Sequence, residues 1–169
     1  GPKTGDPTTF KTFDELYTAF EKQLIFNEEV LRRGAWIASM LCADFLPVPW
    51  RSLLTGGCIE TGTEVWNGGA NYYTVAQIVV GGIDAANSLM ALKYLVYDQK
   101  KITMAELKKA LAANWEGDYE KVRKMCFEEA PKHGNDIPEV NRMAHRVYES
   151  VLMAFNSVDG GGNYLSKEI

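Results

Sequence analysis

The sequence predicts a mainly α fold with one or two short strands, organised around one apolar stretch near the middle of the chain. Several segments repeat apolar residues every three or four positions and are preceded by polar capping residues, which is the pattern of amphipathic helices. One run of β-branched and aromatic residues, 72–80, lies between two glycine pairs and indicates a buried strand.

The central stretch, residues 67–98, is predicted to form a strand, a tight turn and a helix. A glycine pair at 68–69 opens it, and a second pair at 81–82 breaks the β-branched run. The segment 85–97 is rich in Ala and Leu, which favour helix. A single strand is not stable alone, so this unit must pack against other elements.

The preceding chain is predicted to be an extended lead-in over residues 1–11 and helical over 12–66. Thr12 and Glu15 form a capping box at the start of the first helix. The apolar stripe of this helix comprises Phe13, Leu16, Phe20, Leu24 and Leu31. The charged residues predicted on its solvated face are Glu28, Glu29, Arg32 and Arg33.

The first helix is predicted to run to about Met40 and not to pass Pro47 and Pro49, because proline lacks the N–H and forces its predecessor into an extended conformation. Short helical turns are expected at residues 52–54 and 58–63.

The rest of the chain is predicted to hold outer helices over residues 99–159 and a short tail over 160–169. Thr103 and Glu106 form a second capping box. Two further helices are predicted before the tail, and the second begins near Pro138, where proline is tolerated in the first turn.

Composition and charge narrow the classes of function. The chain has 169 residues, of which 46% are hydrophobic and 24% charged, as in ordinary soluble domains. A net charge of -4 and the absence of a basic stripe argue against nucleic acid or an anionic membrane surface as partner. Glycine pairs and polar residues interrupt the uncharged run between Glu64 and Asp84, so no transmembrane span is predicted.

The three cysteines, Cys42, Cys58 and Cys126, are far apart in sequence, and the chain has two histidines. Because no CxxC spacing occurs, we predict reduced thiols in a cytosolic protein and no metal site. No signal peptide is predicted. Gly1 stands where a natural chain would start with Met, which indicates a protease scar or a start inside a longer chain.

Cys58 and Glu60 place a thiol and a carboxylate two residues apart, as beside a reactive cysteine. No cationic residue stands nearby to stabilise a thiolate, so the preferred interpretation is a small buried thiol. The polar segment 133–136 fits either a site or a loop between two helices, and the loop explains its Gly and Asn. His145 is predicted to be a solvated helix residue.

Four residues of the central stretch are candidates for a substrate-binding wall: Asn71, Tyr72, Tyr73 and Gln77. Alternation along a strand places the two tyrosines on opposite faces, so one can lie in the core while the other faces a cavity. The glycine pairs form neither GxGxxG nor a P-loop, and no bound cofactor is predicted.

Several stretches, taken in order, resemble the glycyl radical enzyme family, which contains pyruvate formate-lyase, diol dehydratases and arylacetate decarboxylases. The matching stretches are TGDP at 4–7, FKTFDELYTAFEKQL at 10–24, PWRSLLTGGCIETG at 49–62, NGGANYY at 67–73, DAANSLMALKYLVYDQKKITMAELKKALAANWEG at 84–117 and APKHGND at 130–136. Each stretch alone is weak evidence, but the ordered set is specific and covers almost the whole chain.

The resemblance implies that residues 1–169 are part of one large barrel domain, in which ten strands surround the site and helices lie outside. The family's thiyl cysteine lies in a Gly-Cys-Val-Glu-like motif upstream of TGDP, and its radical glycine in a downstream Arg-Val-x-Gly motif. Both motifs lie outside this chain, so no catalytic residue is assigned here, and Cys58 is not the radical cysteine.

The resemblance also implies a parent enzyme that cleaves a C–C, C–O or C–N bond of a small molecule by thiyl hydrogen abstraction. Its expected partners are a radical-SAM activating enzyme and a second copy of itself, in the cytoplasm of an anaerobic bacterium. This chain alone is expected to be inactive. The competing hypothesis is a stand-alone helical interaction module, in which the edge formed by residues 72–80 pairs with a partner's strand.

The sequence departs from the family in one motif. Many dehydratases carry Gly-Gly-Ala-(Arg/Lys)-Tyr-Asn, whereas residues 68–73 here read GGANYY. An aromatic pair in place of Tyr-Asn predicts a bulkier or aromatic substrate.

Overall fold

The computed structural model describes residues 1–72 and 78–157, and these residues are mainly helical. Internal contacts divide the chain into two compact units. The first comprises Gly1–Leu24 and Val79–Met153, and the second comprises Ile25–Ile78 with the described residues that follow Met153.

The helical part of the prediction is confirmed. The helices are α1 (Phe13–Phe45), α2 (Pro49–Leu53), α3 (Cys58–Thr61), α4 (Gly82–Leu92), α5 (Met104–Ala112), α6 (Glu120–Lys124) and α7 (Pro138–Ser157). π-Helical turns at Lys93–Asp98 and Met125–Glu129 continue α4 and α6, and 3₁₀ turns occupy Pro7–Thr9, Val65–Asn67 and Gly117–Tyr119. α1 continues past Met40 and ends close to the prolines that stop it.

The helix starts follow from local hydrogen bonds. Thr103 Oγ1 accepts the N–H of Glu106 at 3.1 Å, and the Glu106 carboxylate accepts the N–H of Thr103 at 2.8 Å, which completes the predicted capping box. At α1, Thr12 Oγ1 accepts the N–H of Glu15 at 3.3 Å, but the Glu15 carboxylate reaches the N–H of Lys11 instead of that of Thr12.

Asp6, in the TGDP stretch, fixes the lead-in. Its carboxylate accepts the N–H of Thr8 at 3.0 Å and the ammonium of Lys108, on α5, at 3.0 Å. These two hydrogen bonds lower the pKa of Asp6 to about 2. The lead-in is therefore attached to the first unit by a group that stays ionised at neutral pH.

The main core of the first unit is formed by α1, α4 and α7. Its buried members are Phe13, Tyr17, Ala86, Leu89, Met90, Val140, Met143, Ala144 and Val147. A second cluster, around Leu95, Ile102, Leu107, Ala110 and Val122, packs α5 and α6 against the π-helical turn after α4. Phe13 belongs to the apolar stripe predicted for the first helix, whereas Tyr17, which is fully buried, lies outside that predicted stripe.

One buried polar cluster lies inside the main core. The hydroxyl of Tyr17, a residue with no exposed surface, lies 3.0 Å from Ser150 Oγ, which in turn lies 2.8 Å from a carboxylate oxygen of Glu21. The Arg146 guanidinium lies 3.6 Å from the centre of the Tyr17 ring. Burial raises the pKa of Tyr17, so its phenol is neutral and can donate to Ser150 while Ser150 donates to the charged Glu21.

The predicted strand is not borne out. The described residues contain no strand: Tyr72 lies in a bend, residues 78–80 have no regular structure, and residues 73–77 lie outside the described part of the chain. A strand requires a hydrogen-bonded neighbour, and the described residues contain no strand that could pair with this segment.

The predicted solvated face of α1 is partly wrong. Glu28 is 5% exposed, and its carboxylate lies 3.7 Å from Arg32 Nε. Arg32 also donates to the carbonyl of Ala154 at 3.3 Å and lies over the Phe155 ring. Conversely, Leu31, predicted to be inward-facing, is 63% exposed. Ala154 and Phe155, on α7, cover part of the charged side of α1, which local periodicity cannot reveal.

Tyr97→Phe is expected to stabilise the protein by up to about 1 kcal/mol. The Tyr97 hydroxyl is buried and has no hydrogen-bond partner among the described residues, and such a group costs about 1–3 kcal/mol. Urea unfolding of both proteins measures the difference. A loss of stability of about 1 kcal/mol would show instead that the hydroxyl has a partner in solution.

Candidate functional site

The predicted wall residues follow a loop that is tied together by the side chain of Glu64. Its Oε1 accepts the N–H of Val48, the N-cap of α2, at 3.0 Å and lies 3.1 Å from the hydroxyl of Ser52, within α2. Its Oε2 accepts the N–H of Trp66 at 2.6 Å. One carboxylate therefore joins α2 to the 3₁₀ turn that leads to the first glycine pair.

The backbone of Glu64 holds the same turn. Its carbonyl accepts the N–H of Asn67 at 2.9 Å and that of Gly69 at 3.1 Å. Gly69 lies so close to the backbone of Thr63 that a Cβ on Gly69 would be 2.0 Å from the Thr63 carbonyl oxygen. No other residue fits there, which explains the second glycine of the pair.

Asn71 packs against a third glycine pair, Gly56–Gly57, which precedes α3. The N–H of Asn71 donates to the carbonyl of Gly56 at 3.0 Å. Gly57 has a φ of +100°, and a Cβ on it would lie 2.6 Å from both Asn71 Oδ1 and the carbonyl oxygen of Gly69. Two glycine pairs distant in sequence thus interlock and fix the backbone of Asn71.

The structure places Asn71 and Tyr72 side by side at the surface, and Tyr72 is 92% exposed. An amide and a phenol offer both donors and acceptors for a polar substrate, and the phenol ring adds an apolar face. Tyr73 and Gln77, the other two predicted wall residues, lie outside the described residues.

Cys58 fits the interpretation of a small buried thiol. It is 4% exposed at the first position of α3. The Glu60 carboxylate accepts the N–H of Gly57 at 2.9 Å, so its role is to cap the helix. All three cysteines are free, as predicted.

The histidines support the structural interpretations. The backbone N–H of His133 donates to Asn87 Oδ1 on α4 at 2.9 Å, and Gly134 has a φ of +96°, as expected for a loop between helices. His145 is largely exposed and pairs with Glu149, one turn further along α7.

Two further observations concern sites in the described residues. None of their His, Cys, Asp and Glu side chains form a group of three placed to hold a metal ion. None of their helices has the length and apolarity needed to cross a membrane.

Glu64 is the residue that sequence reasoning missed. It was considered only as the last charge before the uncharged run. Its position directly before a turn that ends in two glycines is a cue for a capping carboxylate, which here accepts the Trp66 N–H. Its bonds to Val48 and Ser52 are not local and leave no cue in the sequence.

Glu64 is expected to make stability depend on pH. Burial alone would raise its pKa, but the N–H groups of Val48 and Trp66 and the Ser52 hydroxyl outweigh burial and lower it below 4.5. The stabilisation is therefore complete at neutral pH and is lost as the pH falls below 4.5.

The measurement is the difference in unfolding free energy between the wild type and Glu64→Gln at a series of pH values. We expect a constant difference above pH 4.5 that shrinks on acidification. A difference that grows on acidification would mean that the folded protein favours the protonated carboxyl.

The comparisons with known proteins agree with this architecture. The family model described as pyruvate formate lyase-like matches residues 1–164. The chain belongs to this family, the glycyl radical enzymes, as the sequence predicted.

Among curated relatives, the chain is 36% identical over 169 residues to trans-4-hydroxy-L-proline dehydratase of Clostridioides difficile. This match covers 97% of the chain and 21% of the relative. It is 31% identical to (2S)-3-sulfopropanediol dehydratase of Klebsiella oxytoca, over 80% of the chain and 16% of that relative. The chain therefore spans about one fifth of the length of the curated relatives it matches.

Solved structures give the same result. The hydroxyproline dehydratase of Clostridioides difficile with its substrate bound superposes with a TM-score of 0.79 at 36% identity, covering 93% of this chain and 19% of that one. The B12-independent glycerol dehydratase of Clostridium butyricum superposes with a TM-score of 0.80 at 31% identity, covering 94% of this chain and 20% of that one.

Proposed function

We propose that this chain is a segment of a glycyl radical dehydratase or lyase and forms part of the barrel domain around its substrate site. The observation that carries the proposal is the match of 97% of the chain, at 36% identity, to a dehydratase of this family. Other relatives include a sulfite-lyase and a decarboxylase subunit, so the match does not select one bond type. The proposal therefore keeps cleavage of a C–O, C–C or C–N bond, as the resemblance to the family implies.

In the complete enzyme, a radical carried by a glycine and a cysteine elsewhere in the polypeptide supplies hydrogen abstraction from the substrate. The residues of this chain hold and shape the site, and the chain alone is inactive. The proposal includes a radical-SAM activating enzyme, a homodimeric parent and an anaerobic cytoplasm, with residues 1–169 inside a single barrel domain.

An exposed apolar face supports the proposal that this chain is part of a larger protein. The second half of α1 carries large apolar side chains that are at least half exposed: Val30, Leu31, Ile37, Leu41 and Phe45. A contiguous face of this kind marks an interaction surface, and further barrel polypeptide would cover it. The isolated chain is expected to self-associate during size-exclusion chromatography, whereas a stand-alone module would be monodisperse and melt cooperatively.

Tyr72→Ala in the complete enzyme is expected to raise KM for the preferred substrate about tenfold. The reason is that the exposed phenol of Tyr72, as part of the substrate-binding wall, would contact the substrate. The complete source reading frame, activated anaerobically, is assayed with hydroxyproline, 1,2-propanediol, glycerol and arylacetates. Because residues 71–73 read Asn-Tyr-Tyr, we expect the bulkier or aromatic substrates to be preferred.

Tyr148→Ala serves as the control, since Tyr148 lies on α7 and contacts Gly82, outside the proposed wall. If the enzyme turned over only small diols, and neither Asn71→Ala nor Tyr72→Ala altered KM or specificity, the assignment of the wall would be wrong.

A further inference from the structure

Glu64 connects three parts of the loop by hydrogen bonds from its carboxylate and its backbone carbonyl. Its carboxylate holds Val48 at the start of α2, Ser52 in its last turn and Trp66 in the 3₁₀ turn. Its carbonyl holds the glycine pair that precedes Asn71. The Ser52 hydroxyl, in turn, accepts the N–H of Val65 at 3.1 Å, so the two polar side chains close a small network.

Both attachments of Asn71 lead back to this network. One runs through Gly69, whose N–H donates to the Glu64 carbonyl. The other runs through Gly56, whose carbonyl accepts the Asn71 N–H and which follows α2 after Leu54 and Thr55. Loss of the Glu64 carboxylate would remove the bonds from Val48, Ser52 and Trp66 and leave the Ser52–Val65 bond alone between α2 and the turn, which would loosen both attachments together.

We propose that Glu64 is a positioning residue for substrate binding: through α2 and the two glycine pairs, its carboxylate holds Asn71 and Tyr72 in the orientation that meets the substrate. The proposal rests on the proposed function, because it requires that Asn71 and Tyr72 form part of the substrate wall. Both carboxylate oxygens of Glu64 bond to protein groups, so its proposed effect on the substrate is indirect.

The anchoring can be tested on the complete enzyme without any enzymatic assay. Amide hydrogen exchange is measured for Trp66, Gly69 and Asn71 in the wild type, Glu64→Ala and Glu64→Gln. We expect exchange at these amides to accelerate by about tenfold or more in Glu64→Ala. The exchange rates in Glu64→Gln should fall between those of the wild type and Glu64→Ala, because the amide oxygen of Gln can still accept a hydrogen bond from one side of the network. Glu120→Gln, a change on the exposed surface of α6, is the control.

The positioning role is tested on the complete, activated enzyme. A residue that only supported folding would reduce the amount of active enzyme, which lowers the apparent kcat and leaves KM unchanged. A residue that positions the wall raises KM. We expect Glu64→Ala to raise KM about tenfold with kcat per active site changed less than about threefold, and Glu64→Gln to give an intermediate KM.

The outcomes separate this inference from the proposed function. Unchanged amide exchange in Glu64→Ala overturns the positioning role of Glu64, and so does faster exchange with a wild-type KM. If Tyr72→Ala raises KM and Glu64→Ala does not, the wall assignment stands and the positioning role fails. If neither variant changes KM, the wall assignment fails, and the positioning role fails with it.

Discussion

Gly69→Ala is expected to destabilise the protein by about 3 kcal/mol or more and to disorder the loop that carries Asn71 and Tyr72. The added Cβ would lie 2.0 Å from the carbonyl oxygen of Thr63 and 3.0 Å from that of Glu64. Both contacts are with backbone, which cannot turn aside as a flexible side chain can. The turn must therefore open and break the hydrogen bond from Gly69 N–H to the Glu64 carbonyl.

Gly34→Ala is a matched control for this substitution. Gly34 lies within α1, and a Cβ on it would meet no atom within 4 Å. The same change of residue should therefore stabilise the protein by about 0.5–1 kcal/mol through helix propensity. Urea unfolding of both variants, with amide exchange at Asn71, tests the pair. If Gly69→Ala were as stable as Gly34→Ala, the close approach of the two backbone segments would be wrong.

Tyr17→Ala is expected to cost about 3–5 kcal/mol, the range for removal of a buried aromatic side chain. Tyr17 has no exposed surface and contacts the rings of Phe13 and Phe20. Its removal would also take away the stacking partner of Arg146 and the partner of the buried Ser150. Thermal and urea unfolding measure the loss.

Tyr17→Phe separates the ring from the hydroxyl. It keeps the packing and the cation–π contact and removes only the hydrogen bond to Ser150, so it should cost about 1 kcal/mol. This loss is opposite in sign to the change expected for Tyr97→Phe, whose hydroxyl has no partner among the described residues. A loss in Tyr17→Phe as large as that in Tyr17→Ala would mean that the polar network, not the ring, dominates.

Helices could be predicted from the sequence because their determinants are local. The Thr103–Glu106 capping box and the apolar spacing of α7 are contained within a few turns, and the structure reproduces both. The predicted strand depended on pairing with a distant segment, and the described residues provide none. Local patterns also placed Glu28 and Arg32 in solvent, because the segment that covers them follows Met153.

The site was only partly predictable for the same reason. Composition and the resemblance to the family indicated Gly68–Gly69, Asn71 and Tyr72 as candidates. The reason for the glycines was not visible, because Gly57 contacts Asn71 and Gly69 contacts Thr63 only after the loop has folded. Glu64 was missed because the bonds that define its role join it to Val48 and Ser52.

Sequencing the source reading frame on both sides of Gly1 and Ile169 tests whether this chain is a wall segment of a glycyl radical enzyme. We expect a Gly-Cys-x-Glu motif upstream of Thr4 and an Arg-Val-x-Gly motif downstream of the glycine run at 160–162. A native gene that starts and stops at these two ends would contradict it. The search would then turn to a protein partner for the exposed face of α1.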